Sequence, residues 1–416
     1  MPSMITRRKF LKSSAVAAGS AVVLGNPFAN APLKSQDARS RVVSAAADDM
    51  LRGESYNPDT VRRAFEAGLK ELTDENSPEN AWSSLFSPDD VVGIKMNCVG
   101  APRISSSQAS IDQTIEGLKS AGVKENNIIL WDHTDGSFRR TGMQVNRSSS
   151  GVRIHGTSDV SGVRVPWVEG YDRDVYLSLE DGTLKKYREL MNENFFETAT
   201  HREIFNSMTW LWILIQQGNE KAQKYSEDIR RSYTDYSTRD LIKGIAEKVA
   251  DEFNDVVIED EEKSFFSPIV TKEITKHINI AVLKNNSDSG ITWATKNIAL
   301  GVTTNKIRFH RDFCARSISE IMNFPCIKDK TVLHIGEAAK ISTVGVSGAQ
   351  IANDNRIFFS ADPVAIDRIG LDIFEEKRRE QMLPSVRHEA THIAACAQMG
   401  IGTDDFRKMD IRELRV

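Results

Sequence analysis

Two short apolar runs flank a helical pattern in residues 91–131, and this arrangement most strongly limits the possible fold. Val91–Met96 is apolar, Ile111–Lys119 has helical spacing, and Ile128–Trp131 is apolar again. Gly122 supplies a stop after the helix. A helix that joins two buried strands forms a βαβ unit, whose right-handed crossover makes both strands parallel neighbours in one sheet. The sequence therefore predicts an α/β fold built on a parallel sheet.

A second group of α/β signals lies in the C-terminal third of the chain. Ile278–Leu283, Thr331–Ile335 and Arg356–Phe359 have the apolar content of strands. Helices are predicted around Cys314–Met322 and from Pro363 onward. These patterns predict α/β units in two parts.

The interval between the two parts is charged and favours helix, which predicts a helical insertion and a candidate lid. Disorder is expected only around residues 32–41. The predicted segments are a signal peptide (1–31), an N-terminal helical lead-in (32–87), the first α/β part (88–171), the helical insertion (172–265) and the second α/β part (266–416).

The first residues have the three regions of a twin-arginine signal. Arg7 and Arg8 precede a weakly apolar stretch, Ala15–Gly25, and a small-residue cleavage pattern, Ala29–Ala31. The stretch is too short to be a stable membrane anchor. The alternative is a basic amphipathic N-terminus with another purpose. We expect the twin-arginine translocation machinery to export the folded protein to the periplasm.

Charge and cysteine spacing exclude several classes of protein. Cleavage after residue 31 removes four positive charges and moves the formal charge from −4 to −8, which argues against nucleic-acid binding. The four cysteines form no CxxC pair, so no iron–sulfur cluster is expected. Cys314 and Cys326 are candidates for a disulfide or for two buried thiols, and the sequence leaves both open.

Polar residues at the ends of the predicted strands are the candidate site, because ligands of open parallel sheets bind beyond the carboxyl ends of the strands. Carboxylates, imidazoles and lysines in one crevice suit a divalent metal and a small anion. The candidates are, for catalysis or anion binding, Lys95, Lys296, Asp362 and Asp367; for cofactor binding, Asn97, Lys284 and Asn297; and for metal binding, Asp132, His133, His310 and His334.

Several candidates also have a purely structural interpretation. Asp362 precedes a proline and suits a helix N-cap. Lys95 and Lys284 suit solvated strand ends, and His334 suits a hydrogen-bonded core histidine. The segment 132–136 suits a polar turn.

Residues 388–392, His-Glu-Ala-Thr-His, match the HExxH signature of zinc hydrolases. The apolar residues around the motif define a helical stripe, and both histidines fall on roughly the opposite face. No third ligand follows at a recognised spacing. We therefore expect a helix here and keep the zinc hydrolase as a minor alternative.

Five blocks of the chain resemble, in order, the family known as domain of unknown function 362. They are Val92–Asn97, Leu118–Val123, Lys296–Gly301, Ser360–Asp367 and Ala397–Gly402. The resemblance covers residues 88–140 and 275–405, and Asp-Pro-Val-Ala-x-Asp is its most specific block. Many relatives carry a ferredoxin-like iron–sulfur module, whose cysteine clusters this chain lacks, so the resemblance does not imply cluster binding. It implies the fold and an exported context, and it leaves the reaction open.

Two functional hypotheses follow. The first is an exported, metal-dependent enzyme that acts on a small anionic substrate in a crevice between the α/β parts. Asp132, His133 and His310 hold the metal, and Lys95 and Lys296 hold the anion. The second is a periplasmic accessory protein that binds a ligand or metal without turnover.

Overall fold

Both predicted α/β parts contribute strands to one ten-stranded sheet. The computed structural model describes residues 39–157, 159–160, 163–164, 171–179, 220, 263–304, 309 and 312–416. The strands of the sheet are β1 (Ser40–Ala46), β4 (Val92–Lys95), β5 (Ile128–Asp132), β6 (Arg153–Gly156), β11 (Lys276–Asn286), β12 (Gly290–Thr292), β13 (Thr331–Val344), β14 (Gln350–Asn353), β15 (Arg356–Ser360) and β16 (Met409–Arg415).

Among the described residues, short strands outside this sheet form three two-stranded pairs. They are β2 (Leu51–Arg52) with β3 (Ser55–Tyr56), β7 (Asp159–Val160) with β8 (Val163–Arg164), and β9 (Asp172–Ser178) with β10 (Lys263–Phe266). The α-helices are α1 (Pro58–Thr73), α2 (Pro78–Leu85), α3 (Gln108–Ser120), α4 (Asp135–Thr141), α5 (Ala294–Ala299), α6 (Ala315–Met322), α7 (Pro325–Lys328), α8 (Pro363–Glu380) and α9 (Thr391–Gln398).

The sheet is mostly parallel, as the sequence predicts. Its order is β16-β1-β15-β13-β11-β4-β5-β6, with β12 added to β11 and β14 to β13. Strand β15 is antiparallel to both neighbours, and β12 and β14 return as hairpins, while the other pairs are parallel. The unit β4–α3–β5 is the predicted βαβ unit, and Gly122 follows its helix with a φ of 86°.

Helices cover both faces of the sheet, which makes three layers. Adjacent residues of one strand belong to different cores: Val42 and Phe358 to one, Val43 and Phe359 to the other. Helices α1, α2 and α3 pack into the second core, and α5, α6, α8 and α9 into the first. The near-continuous apolar strands are typical of a sheet that is buried on both faces.

The N-terminal boundary differs from the prediction. Ser40 and Arg41 fall in the range expected to be disordered, yet they begin β1, which lies between β15 and β16. This strand is short and rich in small residues, and its partners are more than 300 residues away in sequence. A local pattern does not encode such pairing, so the predicted lead-in contains a sheet strand as well as the helices α1 and α2.

Most of the predicted insertion, and all of the predicted signal peptide, lie outside the described residues. At the ends of the insertion, β9 and β10 pair antiparallel. None of the described helices has the length and apolar content needed to cross a membrane.

Candidate functional site

A row of polar side chains crosses the centre of the sheet. Lys95 of β4 pairs in register with Asn279 of β11, and Asn279 pairs with His334 of β13. Residues directly opposite each other on neighbouring strands project to the same face. All three are buried, so the row forms the floor of a polar site at the carboxyl end of β4, beside the amino-terminal halves of the longer strands β11 and β13.

Lys95 and Asp132 form a buried ion pair at the ends of two parallel strands. Lys95 Nζ lies 2.6 Å from Asp132 Oδ1, and the two side chains are only 2% and 4% exposed. Burial alone raises the pKa of Asp132, but the Lys95 ammonium and the backbone N–H groups of Cys98 and His133 lower it to about 2. The charge of Lys95 is therefore already neutralised within the protein.

Gly301 leaves the space that Lys95 occupies. A Cβ atom at this position would lie 2.2 Å from Lys95 Cε and 2.9 Å from Nζ. The glycine follows α5 and lets the backbone approach the lysine.

A chain of amides links Lys284 to His334. Lys284 Nζ donates to Asn97 Oδ1 at 2.5 Å, and Asn97 Nδ2 donates to Asn297 Oδ1 at 2.9 Å. Asn297 Nδ2 donates to Asn279 Oδ1 at 2.7 Å, and Asn279 Nδ2 lies 3.1 Å from His334 Nδ1. The three predicted cofactor-binding residues thus meet in one network. Burial lowers the pKa of His334 to about 3, so its imidazole is neutral.

Lys296 stands apart from this network. It lies on α5 and is 5% exposed, yet it forms no hydrogen bond or ion pair with any described residue. Burial lowers its pKa, while Cys314 and Asp288 act in the opposite direction. Among the candidate lysines that the structure describes, it is the one without a polar partner.

Lys284 carries the second uncompensated charge. Its hydrogen-bond acceptor is a neutral amide, and it is 2% exposed. Burial lowers the pKa of Lys284 to about 8; Asp132 opposes this shift, and the charges of Lys296 and Lys95 add to it. Three lysines therefore lie in electrostatic range of one another, and among the described residues only Lys95 of the three is hydrogen-bonded to a carboxylate.

Asp367 anchors the helix that carries Lys296. It accepts hydrogen bonds from the backbone of Ala294 at 2.6 Å and of Thr295 at 3.0 Å, and from the Thr295 hydroxyl. Burial raises the pKa of Asp367 to about 6. This carboxylate caps α5, which fixes Lys296 and Asn297 over the sheet.

Asp362 is a helix cap, as the structural interpretation of its sequence predicts. Its Oδ1 accepts from the backbone of Val364 and Ala365 at 2.9 Å each. Its Oδ2 accepts from Ser40 Oγ at 2.6 Å and from Thr403 N at 3.0 Å. These contacts join α8 to β1 and to the loop before β16. We therefore assign Asp362 a structural role.

The described members of the predicted metal set do not form one ligand group. Asp132 pairs with Lys95, His133 Nδ1 lies 3.2 Å from the hydroxyl of Tyr171, and His334 joins the amide chain. The fourth member, His310, lies outside the described residues. Within the part of the chain that the structure describes, no three His, Cys, Asp or Glu side chains are placed to hold a metal ion.

The helix expected at the HExxH motif forms, but it begins inside the motif. Helix α9 begins at Thr391, so His388 lies in the preceding turn and is exposed, whereas His392 lies in the helix and is completely buried. Ala390 and Val386 pack instead against Gly290 of the β11–β12 hairpin. The two histidines therefore do not share one helix face, and His392 is not opposite the apolar stripe.

The cysteines form no disulfide among the described residues. Cys314 immediately precedes α6, and Cys326 lies in α7, beyond the other end of that helix. Eight helical residues span about 12 Å, which exceeds the Cα separation of a disulfide.

Two residues of the site escape the sequence analysis. Asn279 is central to the amide chain, and its signal is a polar residue inside an otherwise apolar strand. His392 was considered only as a metal ligand, because its burial depends on how α9 packs.

A family model described as domain of unknown function (DUF362) matches residues 224–372. The match includes Lys284, Lys296 and Asp367, and it overlaps the second segment of the resemblance. The first segment, with Lys95, lies outside it. Neither a curated protein nor a solved structure matches the chain.

Proposed function

We propose that this chain, a member of the family described as domain of unknown function (DUF362), is an exported protein that binds a small anion at Lys296. The observation that carries the proposal is the Lys296 side chain, which is only 5% exposed and whose ammonium group has no hydrogen bond or ion pair with a described residue. The twin-arginine signal and the cleavage pattern support the exported location.

Two uncompensated ammonium groups give the site its preference for an anion. A buried charge without a partner costs several kcal/mol, and a ligand of opposite charge offsets that cost. Lys95 does not contribute, because Asp132 neutralises it. Lys284 and Lys296 remain, and an anion between them replaces mutual repulsion with two attractions.

Burial also supports a small ligand. Lys296 is only 5% exposed, so access from solvent is narrow. The surrounding amides of Asn97, Asn279 and Asn297 are already hydrogen-bonded to one another. The anion therefore needs few atoms and makes its strongest contacts with the lysines.

The enzyme and the binding protein use the same site and differ in what leaves it. A binding protein releases the anion unchanged, whereas an enzyme releases a product. Mass spectrometry of the small molecules that copurify with the mature protein identifies the anion, and incubation with that compound separates the two hypotheses.

A divalent metal stays a prediction of the sequence, and the anion site does not depend on it. Elemental analysis of the mature protein, compared between His310→Ala and His388→Ala, tests the metal. Loss of metal in the first variant and not in the second supports it, and metal-free protein contradicts it.

Isothermal titration calorimetry tests anion binding directly. The mature protein, residues 32–416, is titrated with sulfate, phosphate and acetate, and compared with Lys296→Met. Methionine keeps the length of the side chain and removes its charge. We expect at least one of these anions to bind, with a loss of about tenfold or more in the variant, as for a hydrogen bond to a charged group.

Lys408→Met is the matched control, because Lys408 is exposed and remote in sequence from the site. It should bind like the wild type, and circular dichroism should show that both variants are folded. Equal affinity of wild type and Lys296→Met, or no binding by the wild type, contradicts the proposal.

A further inference from the structure

His392 is a buried polar side chain whose hydrogen bonding is incomplete. It lies on α9 with 0% of its surface exposed, and neither Nδ1 nor Nε2 has a hydrogen-bond partner among the described residues. Leaving a buried donor or acceptor unsatisfied costs about 1–3 kcal/mol. Native proteins contain few such groups, and they often mark a ligand or a functional role.

The surroundings of His392 explain why the described residues supply no partner. The neighbouring positions Ile393 and Cys396 are buried in the apolar core that also contains Ile298 and Ile318. Helix α9 packs against α6 and α8. The imidazole therefore lies in a mainly apolar helix layer.

Helix α5, which carries Lys296, packs against α6 and α8, the same two helices that α9 contacts. Burial and, after it, the charge of Lys296 lower the pKa of His392 to about 3. The imidazole is therefore neutral and has one N–H donor and one acceptor nitrogen. A neutral donor beside a fixed ammonium suits a ligand that carries charge on one atom and accepts a hydrogen bond at another.

We infer that His392 donates a hydrogen bond to the anion held by Lys296, and that the ligand is an oxyanion with at least two oxygen atoms. This inference rests on the proposed function, because the anion at Lys296 supplies the missing partner. One oxygen accepts from the ammonium group and a second accepts from the imidazole N–H. Sulfate, phosphate and carboxylate groups all have this arrangement of acceptors.

The inference predicts opposite effects on stability and on binding. In the ligand-free protein, His392→Leu replaces an unsatisfied imidazole with an apolar side chain of similar size. The melting temperature should therefore rise. The same change removes a ligand contact, so sulfate affinity should fall about tenfold or more. A histidine that only fills space does not produce this combination.

The experiment measures melting temperature and sulfate binding for the wild type, His392→Leu, His392→Gln and His388→Gln. His388 is the control, because it is exposed and four positions away. Glutamine at 392 retains a donor and should bind sulfate better than leucine does. Nitrogen-15 spectra of the wild-type histidine rings, assigned with the variants, should show that sulfate shifts the His392 signals.

The outcomes separate the two proposals. Wild-type affinity in a folded His392→Leu or His392→Gln protein, with affinity lost in Lys296→Met, overturns the role of His392 alone. If both 392 variants fail to fold, unshifted His392 signals at saturating sulfate overturn it. No binding by the wild type overturns the anion site as well.

Discussion

Two lysines of the site show how the surroundings of a residue decide its role. Lys95 and Lys296 are both buried, but Lys95 has a carboxylate partner at 2.6 Å, whereas Lys296 has no polar partner among the described residues. The first lysine is part of the framework, and the second is available to a ligand. The sequence predicts the same role for both, because a strand-end lysine and a helix lysine reveal nothing about their partners.

The ion pair of Lys95 and Asp132 should be essential for folding. Asp132→Asn removes the negative charge and leaves a buried ammonium group, so we expect a loss of about 3–5 kcal/mol in the free energy of unfolding. Urea denaturation measures this change. Asp48→Asn is the control, because the pair of Asp48 with Arg415 is 89% and 73% exposed, and it should cost less than about 1 kcal/mol. Equal losses for the two variants contradict the account.

Lys284 should make anion binding depend on pH. Its pKa is about 8 in the folded protein and 10.5 for an ordinary lysine. Between these values the unfolded chain binds more protons at this group than the folded protein does. The contribution of Lys284 to the free energy of unfolding therefore increases as pH rises from about 8 to about 10.5. The loss of its charge over the same range should weaken sulfate binding, which calorimetry at about pH 7 and about pH 9.5 measures.

Sulfate suits this experiment because its own charge stays constant in that range. At the lower pH, Lys284→Met should bind sulfate more weakly than the wild type does. From the lower to the higher pH, the affinity of the variant should fall less than that of the wild type. A wild-type affinity that does not change with pH, or a variant with the same pH dependence as the wild type, contradicts the assignment.

At the scale of elements, two aspartates of the most family-specific block hold helices in place. Asp362 caps α8 and ties it to β1, and Asp367 caps α5. Gly402 packs against the first of these, since a Cβ there would lie 1.9 Å from Asp362 Oδ1. The block thus sets the position of α5 and of Lys296 without joining the site.

Removing the cap of α8 should affect stability and not binding. Asp362→Ala deletes the acceptor for two helix N–H groups, and we expect it to lower the free energy of unfolding by about 0.5–2 kcal/mol or more. Urea denaturation measures the loss. Sulfate affinity of the folded variant should match the wild type, and a selective loss of affinity at unchanged stability would assign Asp362 to the site instead.

The sequence predicts the elements near the site better than their ends. Periodicity and the Asp-Pro start identify β4, α3, β5 and α8, because each has a local apolar pattern. Strand β13 continues to Val344. The apolar pattern in the sequence ends at residue 335, because Glu337 and Lys340 interrupt it. The helix at HExxH starts late, at Thr391, and residues 386–390 before it lie against Gly290, which is remote in sequence and which the local pattern does not predict.

For the whole molecule, the central sheet joins parts that the sequence separates. The two α/β parts share one sheet, so the site lies within that sheet and not between two sheets. The alternation of residues along the strands predicts a core on each face of the sheet. The sequence does not predict the order of the strands, because β1 pairs with β15 and β16, which are more than 300 residues away. Lys95, Asn97 and Lys284 were predictable from their places at the ends of predicted strands. Lys296 and Asn297 lie on α5 instead, and the partners of all five depend on the order of the strands.

Export should depend on the paired arginines and not on the fold. Changing Arg7 and Arg8 to lysine should keep the protein in the cytoplasm, because the twin-arginine pathway recognises the pair. Cell fractionation and N-terminal sequencing measure this, and the exported wild type should begin at Pro32, which leaves β1 intact. Normal export of the lysine variant contradicts the assignment of the signal.

The central claim is that Lys296 binds an oxyanion, and anomalous diffraction from crystals of the mature protein grown with selenate tests it most directly. Selenate has the charge and shape of sulfate, and selenium is located by its anomalous signal. The account predicts a selenium peak about 4 Å from Lys296 Nζ and from a ring nitrogen of His392, the separation at which selenate oxygens accept hydrogen bonds from both. A Lys296 ammonium paired with a carboxylate of the same chain, with selenate bound only elsewhere, would contradict it.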